Sequence, residues 1–142
     1  MILIKKKVFD SILYNTPCPS PETGGIIGCK NNIITSYYPD KGINNNRADC
    51  YQLSTSLLNE ILVTWINQKI QFCGIYHSHY EGDIQLSVGD LKYIKNILFH
   101  IRSYSDSLLF PLVFPKHKII FYKARLQEET LFVLNEMFKI II

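Results

Sequence analysis

Two histidines separated by one residue, His77 and His79, are followed at a short distance by an aspartate, Asp90. Ser87 stands three positions before that aspartate, and Glu22 opens a glycine-rich run far upstream. Imidazoles and carboxylates are the usual protein ligands of a catalytic zinc ion, and a further carboxylate and a hydroxyl can move protons during hydrolysis. These five residues therefore predict a metal-dependent hydrolytic site.

The spacing of the two histidines suits the end of a strand. Segment 71–77 is apolar enough for a buried strand, in which residues two apart project to the same side, about 6–7 Å from one another. His77 and His79 can then converge on one metal ion. The loop 80–86 turns the chain into a helix whose first turn carries Asp90 as a third ligand. Two histidines and one carboxylate leave a fourth tetrahedral position for water, as in hydrolytic zinc sites.

Each part of this pattern has a simpler structural interpretation. A His-x-His pair is more often a surface feature or a satisfied pair in the core than a ligand set. Ser87 and Asp90 match a capping box, in which each side chain accepts from the backbone N–H of the other residue. Glu22 taken separately is a solvated charge beside a glycine turn. A capped helix can still aim Asp90 into a site, and the joint occurrence of all five residues favours the metal site.

The run Glu-Thr-Gly-Gly-Ile-Ile-Gly, followed later by His-Ser-His, seven residues and Ser-x-x-Asp, resembles the JAMM metalloproteases of the MPN family, and their prokaryotic branch most of all. The resemblance spans residues 22–90. It implies the following roles: zinc ligation by His77, His79 and Asp90, proton transfer by Glu22, and donation to the oxyanion by Ser87. The family usually has proline after the second histidine, where this chain has Tyr80. That departure removes no ligand but changes the loop that would meet the substrate.

The resemblance implies hydrolysis of the amide that joins the C-terminus of a ubiquitin-like modifier, or of a conjugated protein, to its target. Bacterial relatives act in this way in conjugation systems, including antiphage systems, and we expect such a deconjugating role. One alternative is a related hydrolase that processes a small sulfur-carrier protein. Another is a RadC-like protein of non-peptidase function, although such proteins usually carry added DNA-binding helices. A non-catalytic MPN scaffold ranks last, because this chain lacks no ligand.

Composition predicts one packed domain over residues 1–142, since 47% of the chain is hydrophobic and 13% is aromatic. The net charge of +3, with one cluster at residues 5–7, does not favour nucleic-acid binding. No apolar run is long enough for a membrane span, and the first residues have the reverse charge order of a secretory signal. We therefore expect a cytoplasmic protein that does not bind a membrane; the sequence leaves a homodimer open.

The four cysteines are isolated in the sequence, without a Cys-x-x-Cys pair: Cys18, Cys29, Cys50 and Cys73. In a cytoplasmic protein such residues are most simply reduced, buried thiols and not zinc ligands. The other two histidines, His100 and His117, lie at no ligand spacing, and we assign them no role.

Hydrophobic periodicity and turn signals predict the elements that position the site. Helices are expected at 5–15, from a cap at 54–56 through Leu57, Leu58, Ile61, Leu62 and Trp65, and at 87–102 with Leu91, Ile94, Leu98 and Ile101 inward. Strands are expected at 22–30, 33–38, 49–53, 71–77, 108–114 and 118–123, with a hairpin turn at 31–32 and an exposed loop at 40–47. Segment 126–142 mixes both periods and receives no assignment.

This alternation of helices and strands predicts an α/β fold with helices packed on a mixed sheet. The resemblance implies the MPN fold, a cytidine-deaminase-like, largely antiparallel curved sheet flanked by helices. A narrow groove over Gly24 and Gly25, beside a sheet edge, is expected to admit a small-residue modifier tail.

Overall fold

The computed structural model describes residues 1–19, 21–42, 51–103 and 105–142. These residues contain three helices and one mixed sheet of nine strands. In chain order the elements are β1 (Ile2–Lys5), α1 (Lys6–Asn15), β2 (Gly24–Lys30), β3 (Ile33–Asp40), α2 (Thr55–Asn67), β4 (Gln71–Ser78), α3 (Val88–Ile101), β5 (Ser107–Leu109), β6 (Leu112–Phe114), β7 (Lys118–Gln127), β8 (Thr130–Glu136) and β9 (Phe138–Ile141). This is an α/β architecture, as the sequence predicts.

The two strands that carry most of the site lie next to each other in the middle of the sheet. The strand order is β5-β7-β6-β4-β2-β3-β1-β9, and β8 pairs with β7. β2 is antiparallel to both β3 and β4, whereas β4 is parallel to β5 and β6. Gly24 stands opposite His77 in the β2–β4 register. The start of β2 and the end of β4 therefore meet at one end of the sheet.

The sheet curves so that its two edge strands, β8 and β9, come close together. β8 pairs with β7 on one side and β9 pairs with β1 on the other, yet a single residue, Met137, separates β8 from β9. The backbone N–H of Ile2 donates to the carbonyl oxygen of Met137 at 2.8 Å. The ring of Phe138 packs on Phe9 and Phe121, with centroids 5.5 and 4.8 Å away. These contacts hold β9 against β1, α1 and β7.

Alternating strand residues divide the apolar core between the two faces of the sheet. Ile26 and Ile75 belong to the cluster that packs under α2 and α3, whereas Ile27 and Tyr76 belong to the cluster under α1. This alternation follows from the two-residue period of a strand. His77, two residues after Ile75, therefore faces the α2 and α3 side.

Local signals in the sequence account well for the elements around the site. Asn31 and Asn32 adopt φ values of 53° and 63° in the turn between β2 and β3, the conformation of a two-residue hairpin turn. Ser54 caps α2, and Ser87 caps α3. Ile61 and Trp65 are buried as predicted, and the other predicted face residues of α2 pack against the same cluster while partly buried.

Several predictions were wrong or incomplete. Strand β1 is not predicted from local patterns, because its short apolar run is stabilised by strands from distant parts of the chain. Leu91 is 36% exposed, since its position on α3 turns away from the sheet. Segment 108–114 forms two strands separated by Phe110 and Pro111, and proline supplies no N–H to continue a ladder.

The C-terminal segment, to which hydrophobic periodicity assigns no element, is strand throughout most of its length. β7 extends to Gln127, and β8 and β9 follow it. The strand expected at 49–53 lies partly outside the described residues, and its described part, residues 51–53, has no strand structure. No helix in the described ranges has both the length and the apolar character to cross a membrane.

The cysteines differ from the expectation of uniform burial. Cys18 is exposed, and Cys29 and Cys73 are half-buried. The expectation failed for Cys18, which follows α1 in a segment without helix or strand, next to the exposed Pro17. Cys50 lies outside the described residues.

Candidate metal centre

Backbone pairing beyond the end of β2 brings Glu22 to the histidines of β4. The N–H of Ser78 donates to the carbonyl oxygen of Thr23 at 2.7 Å, and the N–H of Thr23 donates to Oγ of Ser78 at 3.0 Å. Ser78 points away from the two imidazoles on either side of it, as strand alternation requires. This fully buried serine had no predicted role. It attaches the segment carrying Glu22 to the strand that carries His77 and His79.

Three side chains place their polar atoms at the corners of a small triangle. Nε2 of His77 lies 2.9 Å from Nε2 of His79. The two oxygens of Asp90 lie 3.3 Å from Nε2 of His77 and 3.2 Å from Nε2 of His79. Ligands about 2.0–2.1 Å from a tetrahedral zinc ion are separated from one another by roughly 3.3 Å. The triangle therefore has the dimensions of one face of such a site.

Glu22 completes the group at a greater distance. Its Oε1 lies 3.9 Å from Nε2 of both His77 and His79. The candidate ligand atoms of Glu22, His77, His79 and Asp90 all lie within 4.8 Å of one another, and all four residues are buried. Burying four such polar or charged groups away from water costs free energy unless they are paired with one another or bind a cation. The structure thus brings together every predicted ligand and the predicted proton acceptor in one group that could hold a metal ion.

The loop before α3 fixes the orientation of one imidazole. Nδ1 of His79 lies 3.0 Å from the carbonyl oxygen of Asp83. A carbonyl oxygen can only accept, so Nδ1 carries the proton and Nε2 keeps its acceptor position toward the other ligands when the ring is neutral. Tyr122 reaches the same loop from β7, and its hydroxyl donates to the carbonyl oxygen of Ile84 at 2.8 Å. Sequence patterns indicated neither Asp83 nor Tyr122, because both act through tertiary contacts.

The other imidazole is held by aromatic packing. The ring of His77 lies 4.8 Å from that of Phe110 and 6.3 Å from that of Tyr51, measured between centroids. The hydroxyl of Tyr51 donates to Asp40 at 3.2 Å. Nδ1 of His77 is buried and has no hydrogen-bond partner in the described ranges. Aromatic packing, together with the contacts of Nε2 with His79 and Asp90, therefore positions His77.

Glycines at the start of β2 make room for these aromatic side chains. A Cβ on Gly24 would lie 2.0 Å from the carbonyl oxygen of Tyr76 and 2.9 Å from the ring of Tyr51. A Cβ on Gly25 would lie 2.3 Å from the carbonyl oxygen of Tyr38 and 2.5 Å from the hydroxyl of Tyr76. The protein's own atoms therefore fill the space into which a Cβ of either glycine would project.

A groove lies on the face of the sheet that carries α1, and its lining includes Gly24 but not Gly25. It has a volume of about 300 Å³, and Thr23, Tyr37, Pro39 and Tyr76 contribute to its mainly apolar lining. Within the described residues, the metal group does not lie at a free sheet edge. β2 and β4 each pair with strands on both sides.

Burial and hydrogen bonding give the ligand residues different proton affinities. Burial lowers the pKa of His77. Burial acts in the same direction on His79, but hydrogen bonds to Asp90 and to the backbone of Asp83 outweigh it and raise the pKa to about 9. Burial opposes ionisation of Asp90, yet hydrogen bonds from both histidines hold the pKa of its carboxyl well below the usual range. Without a metal, the group therefore contains a protonated His79 beside an ionised Asp90 at neutral pH.

Ser87 forms the capping box that the sequence predicts, without losing contact with the site. Its Oγ accepts from the backbone N–H of Asp90 at 3.0 Å, and Oδ2 of Asp90 accepts from the N–H of Ser87 at 2.9 Å. The Ser87 Oγ acts as an acceptor in this cap, so the hydroxyl hydrogen can still be donated. Ser87 is exposed, whereas Asp90 is buried. The cap and a role beside the metal group are therefore compatible.

The remaining histidines lie away from this group. Nδ1 of His100 lies 2.7 Å from the carbonyl oxygen of Asn96 on α3. His117 is exposed and lies 3.8 Å from a carboxylate oxygen of Glu81. Neither is among the residues of the metal group.

Comparisons with known proteins identify relatives of the fold. No family model matches the chain, and no curated protein matches it in sequence. The solution structure of protein DSY2949 from Desulfitobacterium hafniense superposes with a TM-score of 0.71 at 13% identity, covering 100% of this chain and 95% of the other. The solution structure of a protein from Salinibacter ruber gives a TM-score of 0.58 at 13% identity, covering 96% and 89%. At these identities the likeness bears on the fold.

Proposed function

We propose that this protein is a zinc-dependent isopeptidase of the JAMM type, with the MPN fold. The observation that carries the proposal is the convergence of Glu22, His77, His79 and Asp90 into one buried group with the separations of a tetrahedral site. His77, His79 and Asp90 are the ligands in this proposal. Two imidazoles and one carboxylate are a donor set of hydrolytic zinc, because they leave a position open.

Glu22 is the proton carrier in the proposed reaction. Bound zinc would supply a nucleophilic water at neutral pH and polarise the scissile carbonyl. The carboxylate of Glu22 lies farther from both imidazole nitrogens than Asp90 does, which suits an acceptor outside the ligand set. It takes the proton of the attacking water and delivers it to the departing amine. Proton transfer of this kind contributes about 10²–10⁴-fold to the rate.

Ser87 stabilises the charge that develops on the carbonyl oxygen. Its capping contact with Asp90 fixes the serine beside the ligand group and leaves its hydroxyl hydrogen available. One such donor contributes about 3–4 kcal/mol to transition-state stabilisation. The exposed surfaces of Ser87 and Tyr80 make the loop 80–86 the proposed side of substrate approach.

The substrate class follows from the proposed family. We infer that the scissile bond is the amide between the C-terminal tail of a ubiquitin-like modifier, or of a conjugated protein, and an amine of its target. A bacterial conjugation system, including one that acts against phage, is the proposed setting, in the cytoplasm. Glu22 suits this bond as a proton donor, since the amine of the target must gain a proton to leave.

The proposal is tested first by zinc binding and then by cleavage of an isopeptide bond. Purified protein should contain close to one zinc ion per chain, and His77→Ala and Asp90→Ala should lose it. The zinc-loaded protein should release a lysine-bearing peptide from an isopeptide conjugate with a Gly-Gly modifier tail, and 1,10-phenanthroline should stop the release. A protein that binds stoichiometric zinc but cleaves no conjugate from a panel of modifiers would contradict the isopeptidase proposal. Absence of zinc binding would contradict the metal site itself.

A further inference from the structure

Cys29 and Cys73 lie on the same two central strands as the metal group, at the opposite end of those strands. Cys29 is in β2 and stands opposite Gln71 of β4. Cys73 is two residues farther along β4, so both side chains lie on one face of the sheet. They pack against the same apolar cluster, under α1.

An irregularity in the β2–β4 ladder sets Cys73 apart from its neighbours. Gly28 pairs with Phe72 and Ile27 pairs with Gly74, which leaves Cys73 without a partner residue on β2. An extra residue of this kind bends its strand and increases the local twist. Cys73 is therefore a diagonal cross-strand neighbour of Cys29 on the same face of the sheet, and the two thiols interact.

The two thiols are polarised in opposite directions by that contact. The hydrogen bond from Cys73 lowers the pKa of Cys29, and the same bond together with burial raises the pKa of Cys73. Sγ of Cys73 also lies 3.6 Å from the carbonyl oxygen of Ile27, a second acceptor for its proton. Cys29 is therefore the thiol that ionises more readily, and Cys73 keeps its proton beside it.

Solvent and small oxidants can reach the pair. Both cysteines are half-buried and line a cavity of about 320 Å³. Lys123 lines the same cavity. Partial exposure, a thiolate and a second thiol within contact are the conditions for reversible oxidation.

We propose that Cys29 and Cys73 form a reversible disulfide in response to a hydroperoxide. The thiolate of Cys29 attacks the peroxide, forming an S–O bond, breaking the O–O bond and releasing hydroxide or alkoxide. The sulfur of Cys73 then displaces hydroxide from the sulfenic acid and loses its own proton, which yields the disulfide and water. The peroxide gains the two electrons that the two thiols lose. A dithiol reductant restores the starting pair by exchange.

Such a bond would join β2 and β4 covalently at one end, while the metal group joins them at the other. Glu22 precedes β2, and His77 and His79 lie at the end of β4 and just beyond it. Oxidation is therefore expected to stabilise the sheet without removing a metal ligand. The disulfide itself does not depend on the proposed isopeptidase activity, since the chemistry needs only the two thiols.

The test uses a variant that retains just this pair, with Cys18→Ser and Cys50→Ser. After a modest excess of hydrogen peroxide, the intact mass should fall by two hydrogens and both alkylatable thiols should disappear. A non-reducing peptide map should contain one cross-linked peptide joining the segments of Cys29 and Cys73. Dithiothreitol should reverse each change, and the melting temperature should be higher in the oxidised form. Zinc content should be unchanged.

Two further variants separate the order of reaction from simple overoxidation. Adding Cys73→Ser should leave Cys29 as a sulfenic acid that a cyclic 1,3-diketone traps. Adding Cys29→Ser should leave Cys73 reacting more slowly than Cys29 does in the other variant, since burial still raises the pKa of Cys73. If peroxide instead carries Cys29 to sulfinic acid while Cys73 stays reduced and no cross-linked peptide forms, the proposal is wrong. The peptide map of the paired protein decides this even if either added variant fails to fold.

Discussion

Glu22 and Asp90 are two buried carboxylates of one site with different surroundings. Asp90 accepts hydrogen bonds from the backbone of Ser87 and lies within 3.3 Å of both imidazole nitrogens. Glu22 lies at 3.9 Å from the same nitrogens. These distances favour Asp90 as the ligand and Glu22 as the proton acceptor in the proposed reaction.

Replacing Glu22 with glutamine should separate metal binding from hydrolysis. A carboxamide cannot accept and release the proton, so we expect Glu22→Gln to retain zinc while the rate falls by about 10²–10⁴-fold. Asp90→Asn is the matched control, and it should lose zinc. Zinc content by elemental analysis and rate on the conjugate give both readouts. Loss of zinc from Glu22→Gln would instead make Glu22 a ligand.

The raised pKa of His79 makes zinc affinity depend on pH. Nε2 must be free of its proton to bind zinc, and the pKa of this imidazole is about 9 without the metal. Each zinc ion should therefore displace one proton at pH 7, and the affinity should rise by up to about tenfold per pH unit until it levels off near pH 9. Competition with a chelator of known affinity from pH 6.5 to 9.5 measures this slope. A flat profile would contradict the His79–Asp90 pairing.

The stability of the metal-free protein should change in the opposite direction. The folded pKa of His79 lies above its ordinary value of 6.5, so its stabilising contribution is complete below pH 6.5 and is lost as the pH rises through about 9. The pKa of Asp90 is lowered, so its contribution is present above 3.8 and is lost as the pH falls. Melting temperatures of zinc-stripped protein should decline from pH 6.5 to 9.5. His79→Ala should flatten that decline.

At the start of α3, one residue, Asp90, belongs both to the helix cap and to the metal group. Ser54 and Ser87 cap α2 and α3 by accepting backbone N–H groups of their helices. In α2 the cap serves the helix, whereas the cap of α3 also positions Asp90. The two helices therefore offer an internal comparison for what a capping serine contributes.

We expect Ser87→Ala and Ser54→Ala to lose similar stability but to differ in catalysis. Each substitution removes one cap, worth about 1 kcal/mol. Ser87→Ala should also reduce the proposed turnover by about 10²–10³-fold with zinc retained, because the oxyanion loses a donor. Ser87→Thr keeps a hydroxyl and should recover much of the rate. Equal turnover of Ser87→Ala and Ser54→Ala would leave Ser87 a purely structural cap.

Strand β2 carries glycines whose surroundings differ along its length. A Cβ on Gly24 would meet the backbone of Tyr76, which cannot move without displacing β4. A Cβ on Gly28 would meet the side chains of Ile70 and Trp65 at 2.5 and 2.8 Å. Only the first contact lies beside the metal ligands.

Alanine at Gly24 should therefore weaken the metal group, and alanine at Gly28 should not. Overpacking typically costs about 1–3 kcal/mol, so both variants should be less stable in urea. Gly24→Ala should also bind zinc at least about tenfold more weakly, since the strand carrying His77 must shift. Zinc affinity of the folded variants is the deciding measurement. Unchanged affinity in Gly24→Ala would show that the strands accommodate the methyl group without moving the ligands.

In the molecule as a whole, the chain after Asp90 forms α3 and five strands joined by short connections. The longest of these, residues 102–106, joins α3 to β5. The strands pair into the curved sheet, so no inserted subdomain stands beside the metal group in this part of the described structure. A second modifier in a chain would have little surface to contact there.

We therefore predict that cleavage depends on the modifier tail and not on chain linkage. Matched linear and lysine-linked conjugates of one modifier should be cleaved at rates within about threefold of each other. Substituting bulky residues for the tail glycines should abolish cleavage of all of them. A strong preference for one lysine linkage would contradict this prediction and point to a contact with the second modifier.

The residues of the candidate metal group and the elements with local signals could be predicted from the sequence. His77 and His79 share a side because a strand repeats every two residues, and Ser87 and Asp90 form a capping box because helix geometry places them together. The hairpin at 31–32 follows from the tolerance of asparagine for positive φ. Each of these depends on a few consecutive residues, so those residues are enough to predict it.

Long-range packing determines how these local pieces meet. Glu22 reaches the histidines through pairing between Thr23 and Ser78, which are 55 positions apart in sequence. The strands β1 and β9 pair in parallel although they lie near opposite ends of the sequence. Cys29 and Cys73 are neighbours across the irregular β2–β4 ladder. Such contacts depend on the simultaneous placement of several elements, and no short-range pattern encodes them. That is why the site's composition could be predicted, while the aromatic packing behind it and the thiol pair could not.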